Sequence, residues 1–238
     1  MGKPLKSTVE EIRTRFDNDV ERFSNLETGQ QTTIDAALTL ELTTSAALYT
    51  KPDSTSMLDI GCGAGNYTLK MLSKIPDLNC TLVDLSQPML ERARQRVCEA
   101  TGGEVITIQA DILELDLPAA AYDIVLAAAV LHHLREEADW ENVFAKVYRS
   151  LKPGGSFWIS DLIIQESAAL KELFSTRYAQ YLDELGGEEY RQKVLDYIEK
   201  EDSPRPVTWQ LALLNKTGFH SVDILHKNAN FAAFGGVK

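Results

Sequence analysis

Two aspartates and a run of alternate glycines carry the first chemical information in the sequence. Met57-Leu58-Asp59-Ile60-Gly61-Cys62-Gly63-Ala64-Gly65-Asn66 reads as a short apolar strand, a glycine-rich turn and the start of a helix. Alternate glycines admit backbone angles closed to other residues and remove the Cβ atoms that would hold a ligand away from the chain. Asp84 ends the next apolar run, 21 residues after Gly63. At that spacing a carboxylate meets the two ribose hydroxyls of a nucleoside lying against the turn.

The flanking residues narrow the nucleoside. A dinucleotide site usually places a third glycine where Asn66 stands, so that pyrophosphate can sit on the helix N-terminus. Asp59, two residues before the first glycine, would oppose a pyrophosphate. It suits a cation instead, and the ammonium and sulfonium charges of S-adenosylmethionine fit that requirement, directly or through water. A local alternative stays open for both aspartates, because either carboxylate can cap the turn that follows it.

Few other residues offer chemistry. His132-His133 follows the fourth apolar run, where one ring could take a proton from an acceptor hydroxyl or amine, or merely finish the strand. Asp161 ends the fifth run on the same expected edge. These three are the candidate catalytic residues, and the sequence does not rank them. A sulfonium is already an activated leaving group, so alignment of the acceptor without a dedicated histidine base is the expected device. Cys62 has no neighbouring base and reads as a small residue chosen to fit. No metal-ligand spacing is visible: His220 and His226 lie in expected terminal strands, and Asp183, Glu184, Glu188 and Glu189 read as a solvated helix face.

The elements that must position these groups follow from the apolar pattern. From Met57 to Asp161, short apolar runs alternate with helical periodicity, the mark of parallel βαβ units with helices on both faces of a sheet. Ahead of them, residues 8 to 26 and 30 to 49 read as two helices. Beyond them, residues 166 to 201 read as a helical pair broken at Gly186-Gly187, and Val207 to Phe219 as one more helix. Ser221 to Lys227 and Phe231 to Lys238 flank Asn228-Ala229-Asn230 as a terminal antiparallel hairpin. The 238 residues fit one domain, with cap elements at 1–50 and 166–203. Phe16, Phe23, Phe174, Tyr178 and Tyr181 are the aromatics with which the cap would enclose a small or partly apolar molecule.

Composition excludes several classes. A formal charge of −11 without a basic cluster disfavours direct nucleic-acid binding. The longest apolar run, Ile124 to Leu131, is too short to span a bilayer, the N-terminus lacks a signal-peptide stretch, and no membrane association is expected. Three scattered cysteines fit a reducing compartment, so a cytoplasmic protein is expected. A homodimer is compatible with the sequence and not required by it.

Residues 57 to 161 resemble the class I S-adenosylmethionine-dependent methyltransferases, of the type 11 and type 12 kind. Five segments carry the resemblance in order: Leu58 to Asn66, Thr81 to Ser86, Gln109 to Leu113, Tyr122 to Leu134 and Leu151 to Asp161. It implies an α/β, Rossmann-like doubly wound sheet of seven strands in the order 3-2-1-4-5-7-6, the last strand antiparallel, with a helical cap. It also implies S-adenosylmethionine as cofactor and in-line methyl transfer to a small-molecule acceptor, releasing S-adenosylhomocysteine. Position by position, Asp59, Gly61 and Gly63 would hold the methionine end and Asp84 the ribose. Leu85 and Met89 would border the adenine, Asp111 would accept from its exocyclic amine with the Ile112 backbone nearby, and Ala127 would line the methionine moiety.

The cap and the C-terminal segment are also similar to carboxy-S-adenosylmethionine synthases, which build a modified cofactor for tRNA wobble uridine modification and use a lid arginine to hold the added carboxylate. Arg177 and Arg191 are the candidates here. A non-catalytic cofactor-binding regulatory subunit is a further alternative, and a nicotinamide-dependent oxidoreductase is disfavoured by Asp59 and Asn66.

Overall fold

The computed structural model describes residues 6–25 and 29–238. The end of the N-terminal helix expected through residue 26 lies outside the described residues, as does the start of the expected cap at residues 1–5.

Seven strands form one sheet: β1 (Ser56–Ile60), β2 (Asn79–Asp84), β3 (Val105–Gln109), β4 (Tyr122–Ala128), β5 (Leu151–Leu162), β6 (His220–Asn228) and β7 (Phe231–Val237). Their order is β3-β2-β1-β4-β5-β7-β6, and β7 alone runs antiparallel to its neighbours. The central strands are buried on both faces, which is why they read as continuous apolar runs rather than alternating ones. Alternation reappears in what each residue touches. Leu58, Ile60, Val125, Ala127, Phe157 and Ile159 pack into one core, with Trp140, Phe144 and Phe219. Met57, Ile124, Leu126 and Trp158 point the other way, onto Leu40, Ala47, Met71, Ala93 and Val97.

The helices are α1 (Val9–Asp17), α2 (Val20–Ser24), α3 (Ala36–Thr50), α4 (Asn66–Leu72), α5 (Gln87–Cys98), α6 (Glu137–Ser150), α7 (Ala168–Glu201) and α8 (Val207–Thr217). Their ends are written in local chemistry. Thr8 and Glu11 form a reciprocal capping box on α1, Ser86 caps α5 through the Met89 amide at 3.3 Å, and Gly218 closes α8 in the left-handed region. The break expected at Gly186-Gly187 is present inside α7, where Gly187 has φ 77° and ψ −175°.

Two helical expectations differ in detail. The segment read as one helix from residue 8 is two helices broken at Asn18-Asp19, where the Asn18 side chain turns back to the Thr14 carbonyl, at 2.8 Å. The helix expected from residue 30 starts at Ala36. Asp35 sits in the left-handed region at φ 59° and accepts from Asn228 Nδ2 and His226 Nε2, each at 2.8 Å, fixing the chain to the terminal hairpin. Of the expected cap, α3 packs on the sheet through Leu40 and Ala47.

The remaining cap closes over the carboxyl edge. Ser7 N donates to the Lys200 carbonyl at 3.0 Å, and Arg15 forks onto Glu201 with contacts of 2.6 and 3.0 Å. Tyr178 and Tyr181 donate to the Thr32 and Gln31 carbonyls at 2.9 and 2.8 Å. Tyr178, Leu182, Val194, Leu162 and Phe231 form a third apolar cluster beneath the cap.

The opposite edge is locked by Asp123. Its Oδ2 accepts from the Thr55 and Ser56 amides, the Ser56 hydroxyl and Lys152 Nζ, at 2.8–3.2 Å. Burial alone would raise this carboxyl, but Lys152 and the Thr55 and Ser56 donors outweigh it and hold it at about 2. Asp123→Asn is therefore expected to cost about 1.5–3 kcal/mol at neutral pH, the range for hydrogen bonds to a charged group. A carboxyl lowered in the folded state stabilises above its unfolded value near 4, so the deficit should shrink as pH falls from about 4 to 2. Denaturant titration of both proteins across that range checks the sign.

Candidate cofactor and acceptor site

β1, β2 and β5 end with Asp59, Asp84 and Asp161 near the same edge of the sheet, and one cavity collects all three carboxylates. Ligands of open α/β sheets bind outside this edge, where the strand order reverses. Gly61, Gly63 and Gly65 all adopt positive φ between 50° and 84°. At two of them the reasons for glycine differ. A Cβ on Gly61 would stand 2.5 Å from the Val130 side chain, whereas one on Gly63 would meet nothing within 4 Å. Gly63 therefore leaves a vacant cradle in the wall of the cavity, where a ligand can lie against the backbone.

The carboxylates differ in how well they are satisfied. Asp84 accepts from the Gly63 and Ser86 amides at 2.8 and 2.9 Å, which fixes it at the turn while each oxygen keeps a lone pair. Burial nevertheless pushes its carboxyl up. Asp59 is 1% exposed and accepts from the Thr68 hydroxyl at 2.6 Å. Burial, reinforced by the neighbouring Asp84 charge, raises it to about 7. Such a carboxylate is stabilised by an incoming cation, and with the Gly63 cradle the lining is compatible with S-adenosylmethionine, whose ammonium Asp59 would face and whose ribose Asp84 would face. Cys62 also faces the cavity. Burial raises its thiol, as do the Asp84 and Asp59 charges, the opposite of what a nucleophile needs.

At the other end stand the histidines. His132 Nδ1 pairs with Asp161 Oδ1, and Asp161 also accepts from the amides of Leu131, His132 and Leu162 at 2.8, 3.2 and 2.7 Å. Asp202, from the loop after α7, brings Oδ1 to 3.6 Å from His132 Nε2 and 3.2 Å from His133 Nδ1. Burial alone would lower His132, but Asp161 and Asp202 outweigh it and raise it to about 9. His133 is lowered by burial and by the adjacent His132 charge.

The cavity gathers Asp59, Gly61, Gly63, Asp84, Leu85, Met89, His132, His133 and Asp161 from the expected set. Three others stand elsewhere. Ala127 is buried in the sheet between Ile60 and Ile159, and Ala128 and Ala129 line the cavity in its stead. Asp111 caps its own turn by accepting from the Leu113 amide at 2.9 Å, and the Ile112 carbonyl accepts from Lys146 Nζ at 3.1 Å. Phe16, Phe23 and Tyr178 line the cavity. Phe174 and Tyr181 do not; the Lys227 ammonium stands over the Phe174 ring, and Tyr181 tethers Gln31.

Sequence reading missed Asp202, Arg15, Tyr197 and the role of Asn66. Asn66 replaces the expected third glycine because its side chain ties α4 to the cap, donating to the Phe23 carbonyl and accepting from Arg96, both at 2.9 Å. Only the position of Asn66 carried a signal in the sequence.

Residues 57–155 match the methyltransferase domain family. The carboxy-S-adenosyl-L-methionine synthase of Nautilia profundicola is 26% identical over 183 residues, 76% of each chain. The demethylmenaquinone methyltransferase of Listeria monocytogenes is 29% identical over 189 residues, 77% of this chain and 78% of that one. Residues 57–155 thus carry a methyltransferase domain, and the chain is similar to the class I S-adenosylmethionine-dependent methyltransferases. Its fold is shared by Burkholderia thailandensis 1,6-didemethyltoxoflavin-N1-methyltransferase, solved with its substrate and S-adenosylhomocysteine. The TM-score is 0.66 at 17% identity, over 100% of this chain and 93% of that one. Three longer methyltransferase structures are spanned for 56–60% of their length. These similarities support S-adenosylmethionine as the cofactor, and the residues of the cradle described above are compatible with holding it.

Asp84→Ala should weaken S-adenosylmethionine binding by about 1.5–3 kcal/mol; calorimetry showing unchanged affinity would remove Asp84 from the ribose. Asp59 gives a pH dependence of definite sign. A carboxyl at about 7 is partly protonated in the free protein, and a bound cation favours its ionised form. Affinity should therefore fall as pH drops below about 7, with a proton released on binding, and Asp59→Asn should abolish both effects. Calorimetry in buffers of different ionisation enthalpy counts that proton.

Proposed function

We propose that the protein transfers the methyl group of S-adenosylmethionine to a small-molecule acceptor held beneath the cap, releasing S-adenosylhomocysteine. One observation carries this reading: a single cavity is lined both by the glycine cradle with Asp59 and Asp84 and by Phe16, Tyr178, Phe231 and the His132–Asp161 pair. The cofactor supplies an activated methyl on a cationic sulfur. The chain supplies position. Asp59 and Asp84 hold the two polar ends of the cofactor, the aromatic wall excludes water, and the cap fixes the acceptor in line with the methyl.

The acceptor in this proposal is not a nucleic acid. The net charge of −11 opposes a phosphate backbone, and the cavity itself is lined by four aspartates. We extend the proposal to a cytoplasmic location, supported by Cys62, Cys80 and Cys98 all being free thiols. Among the described residues no helix is long and apolar enough to cross a membrane.

The similarity to carboxy-S-adenosylmethionine synthases offers a second reading, in which a cap arginine would hold a carboxylated cofactor. Neither candidate cation faces the cavity: Arg177 is exposed, and Arg191 pairs with Asp183 and Glu188 at 2.5 and 3.1 Å. The two arginines that do line the wall are engaged, Arg15 by Glu201 and Arg22 by Asp19. Methyl transfer is favoured on that ground.

Small-molecule extraction of the purified protein should yield S-adenosylmethionine or S-adenosylhomocysteine. A screen of candidate acceptors with methyl-labelled cofactor should move label to a small molecule. Recovery of a carboxylated cofactor would establish the second reading instead.

A further inference from the structure

The geometry points to a divalent metal site, of the zinc class, formed by His132 Nε2, His133 Nδ1 and Asp202 Oδ1 at the acceptor end of the cavity. The inference rests on the reading of this cavity as the methyl-transfer site and adds to it a metal that would hold an oxygen or nitrogen of the acceptor. No metal-ligand pattern was visible in the sequence, because Asp202 lies about seventy residues beyond the histidines.

Three observations converge. The first is spacing. The three ligand atoms lie within 4.8 Å of one another, with edges of 3.6 Å from His132 and 3.2 Å from His133 to the shared Asp202 oxygen. A metal with bonds of about 2.0–2.2 Å and tetrahedral angles separates its ligands by about 3.3–3.6 Å, so two edges already match within about 0.1 Å. The second is unmet bonding capacity. Asp202 is 4% exposed, and its Oδ1 stands 3.2 Å from His133 Nδ1 without a well-formed hydrogen bond, while His133 Nε2 has no partner among the described residues. Buried polar atoms are rarely left so, and an ion is one of the few groups that can satisfy an oxygen and a nitrogen lone pair together.

The third is orientation. His132 gives its Nδ1 hydrogen to Asp161, which leaves Nε2 directed at Asp202. A carboxylate behind the imidazole is the usual support of a metal-bound histidine, since it sets the tautomer and raises ligand basicity. Asp161 is itself held by three backbone amides and cannot swing away. The loop bearing Asp202 is fastened to the same turn, Ser203 N donating to the His132 carbonyl at 2.6 Å. Arg15, which also lines the cavity, is committed to Glu201 through both carboxylate oxygens, and Lys6 Nζ donates to the backbone carbonyls of Glu199 and Asp202. Two histidines and a carboxylate leave further coordination positions for a substrate atom. His132, His133 and Asp202 all border the cavity, so those positions open toward the acceptor.

The test uses the full chain, stripped with a chelator and titrated with Co2+, whose visible d–d absorption reports nitrogen and oxygen coordination without turnover. The expected result is one equivalent bound, with visible bands and no near-ultraviolet sulfur-to-cobalt band from Cys62. Asp202→Asn and His133→Gln should each abolish the bands. Asp161→Asn, which leaves all three ligands in place, should weaken binding about 10–100-fold. Circular dichroism and S-adenosylmethionine calorimetry on the same proteins establish that they fold and bind cofactor. The metal site is overturned if the wild-type protein binds no stoichiometric Co2+, if a sulfur band appears, or if the substitutions leave the titration unchanged. A wild-type protein that binds S-adenosylmethionine but not Co2+ removes the metal alone. One that binds Co2+ yet methylates no acceptor removes the methyl-transfer reading alone.

Discussion

Four carboxylates face one cavity, and a buried charge costs several kcal/mol unless something opposes it. The rest of the site follows from how each is opposed. Asp84 is held by two backbone amides and Asp161 by three amides and an imidazole. Asp59 has only the Thr68 hydroxyl and backbone, and Asp202 has two histidines without a well-formed hydrogen bond. The two well-satisfied carboxylates act as fixed struts. Asp59 leaves capacity for a cation that the folded chain does not itself supply. At Asp202 burial would raise the carboxyl, but the His132 and His133 side chains outweigh it and hold it low, while its Oδ1 keeps room for a further partner.

The doubly wound sheet makes this arrangement affordable. Parallel strands end together, so residues far apart in the chain reach one edge without any long loop. The turns that follow supply the amides: Gly63 and Ser86 point theirs at Asp84, Leu131 and His132 at Asp161. These are the same N–H groups that a strand leaves unpaired when it stops, so the carboxylates and the strand ends satisfy each other. Asp123 performs the equivalent task at the opposite edge with Thr55, Ser56 and Lys152, and there the carboxyl is fully opposed and lies low. The contrast between Asp123 at about 2 and Asp59 at about 7 is the difference between a completed ion pair and one that awaits a ligand.

Legibility in the sequence tracked how local each cause was. The alternation of strands and helices, the terminal hairpin and the break at Gly187 were readable because apolar runs and glycines act on their own neighbourhood, whereas the strand order came from the family resemblance. That Asp59, Gly61, Gly63 and Asp84 would meet at one cavity was readable for the same reason, since the first three lie on five consecutive residues and Asp84 ends the next strand. That Ala127 is enclosed in the sheet while Ala128 and Ala129 border the cavity was not readable, because residues in a doubly buried strand look alike on both faces. Asp111 makes the local hydrogen bond open to an aspartate at a loop start, accepting from the Leu113 amide. Asp202 left no trace: it is placed by the cap, whose docking depends on Arg15, Tyr178 and Ser203 finding partners more than sixty residues away.

The cap is not attached with uniform strength, and the difference bears on what the site can select. At the acceptor end Arg15 and Glu201 form a forked pair, with the Glu201 side chain only 8% exposed, and loss of either partner would strand a largely buried charge. At the cofactor end the N-terminal helices are joined by Arg92 and Glu21, whose side chains are 34% and 82% exposed, a class of ion pair that contributes little. The Asn66 side chain adds one hydrogen bond to the Phe23 carbonyl. The firmly held part of the cap therefore carries Phe16, Tyr197 and Asp202 against the acceptor, while the weakly held part lies over the cofactor. A site that takes one fixed cofactor needs little discrimination there, whereas rigid walls around the acceptor are what turn a shared fold into a specific enzyme.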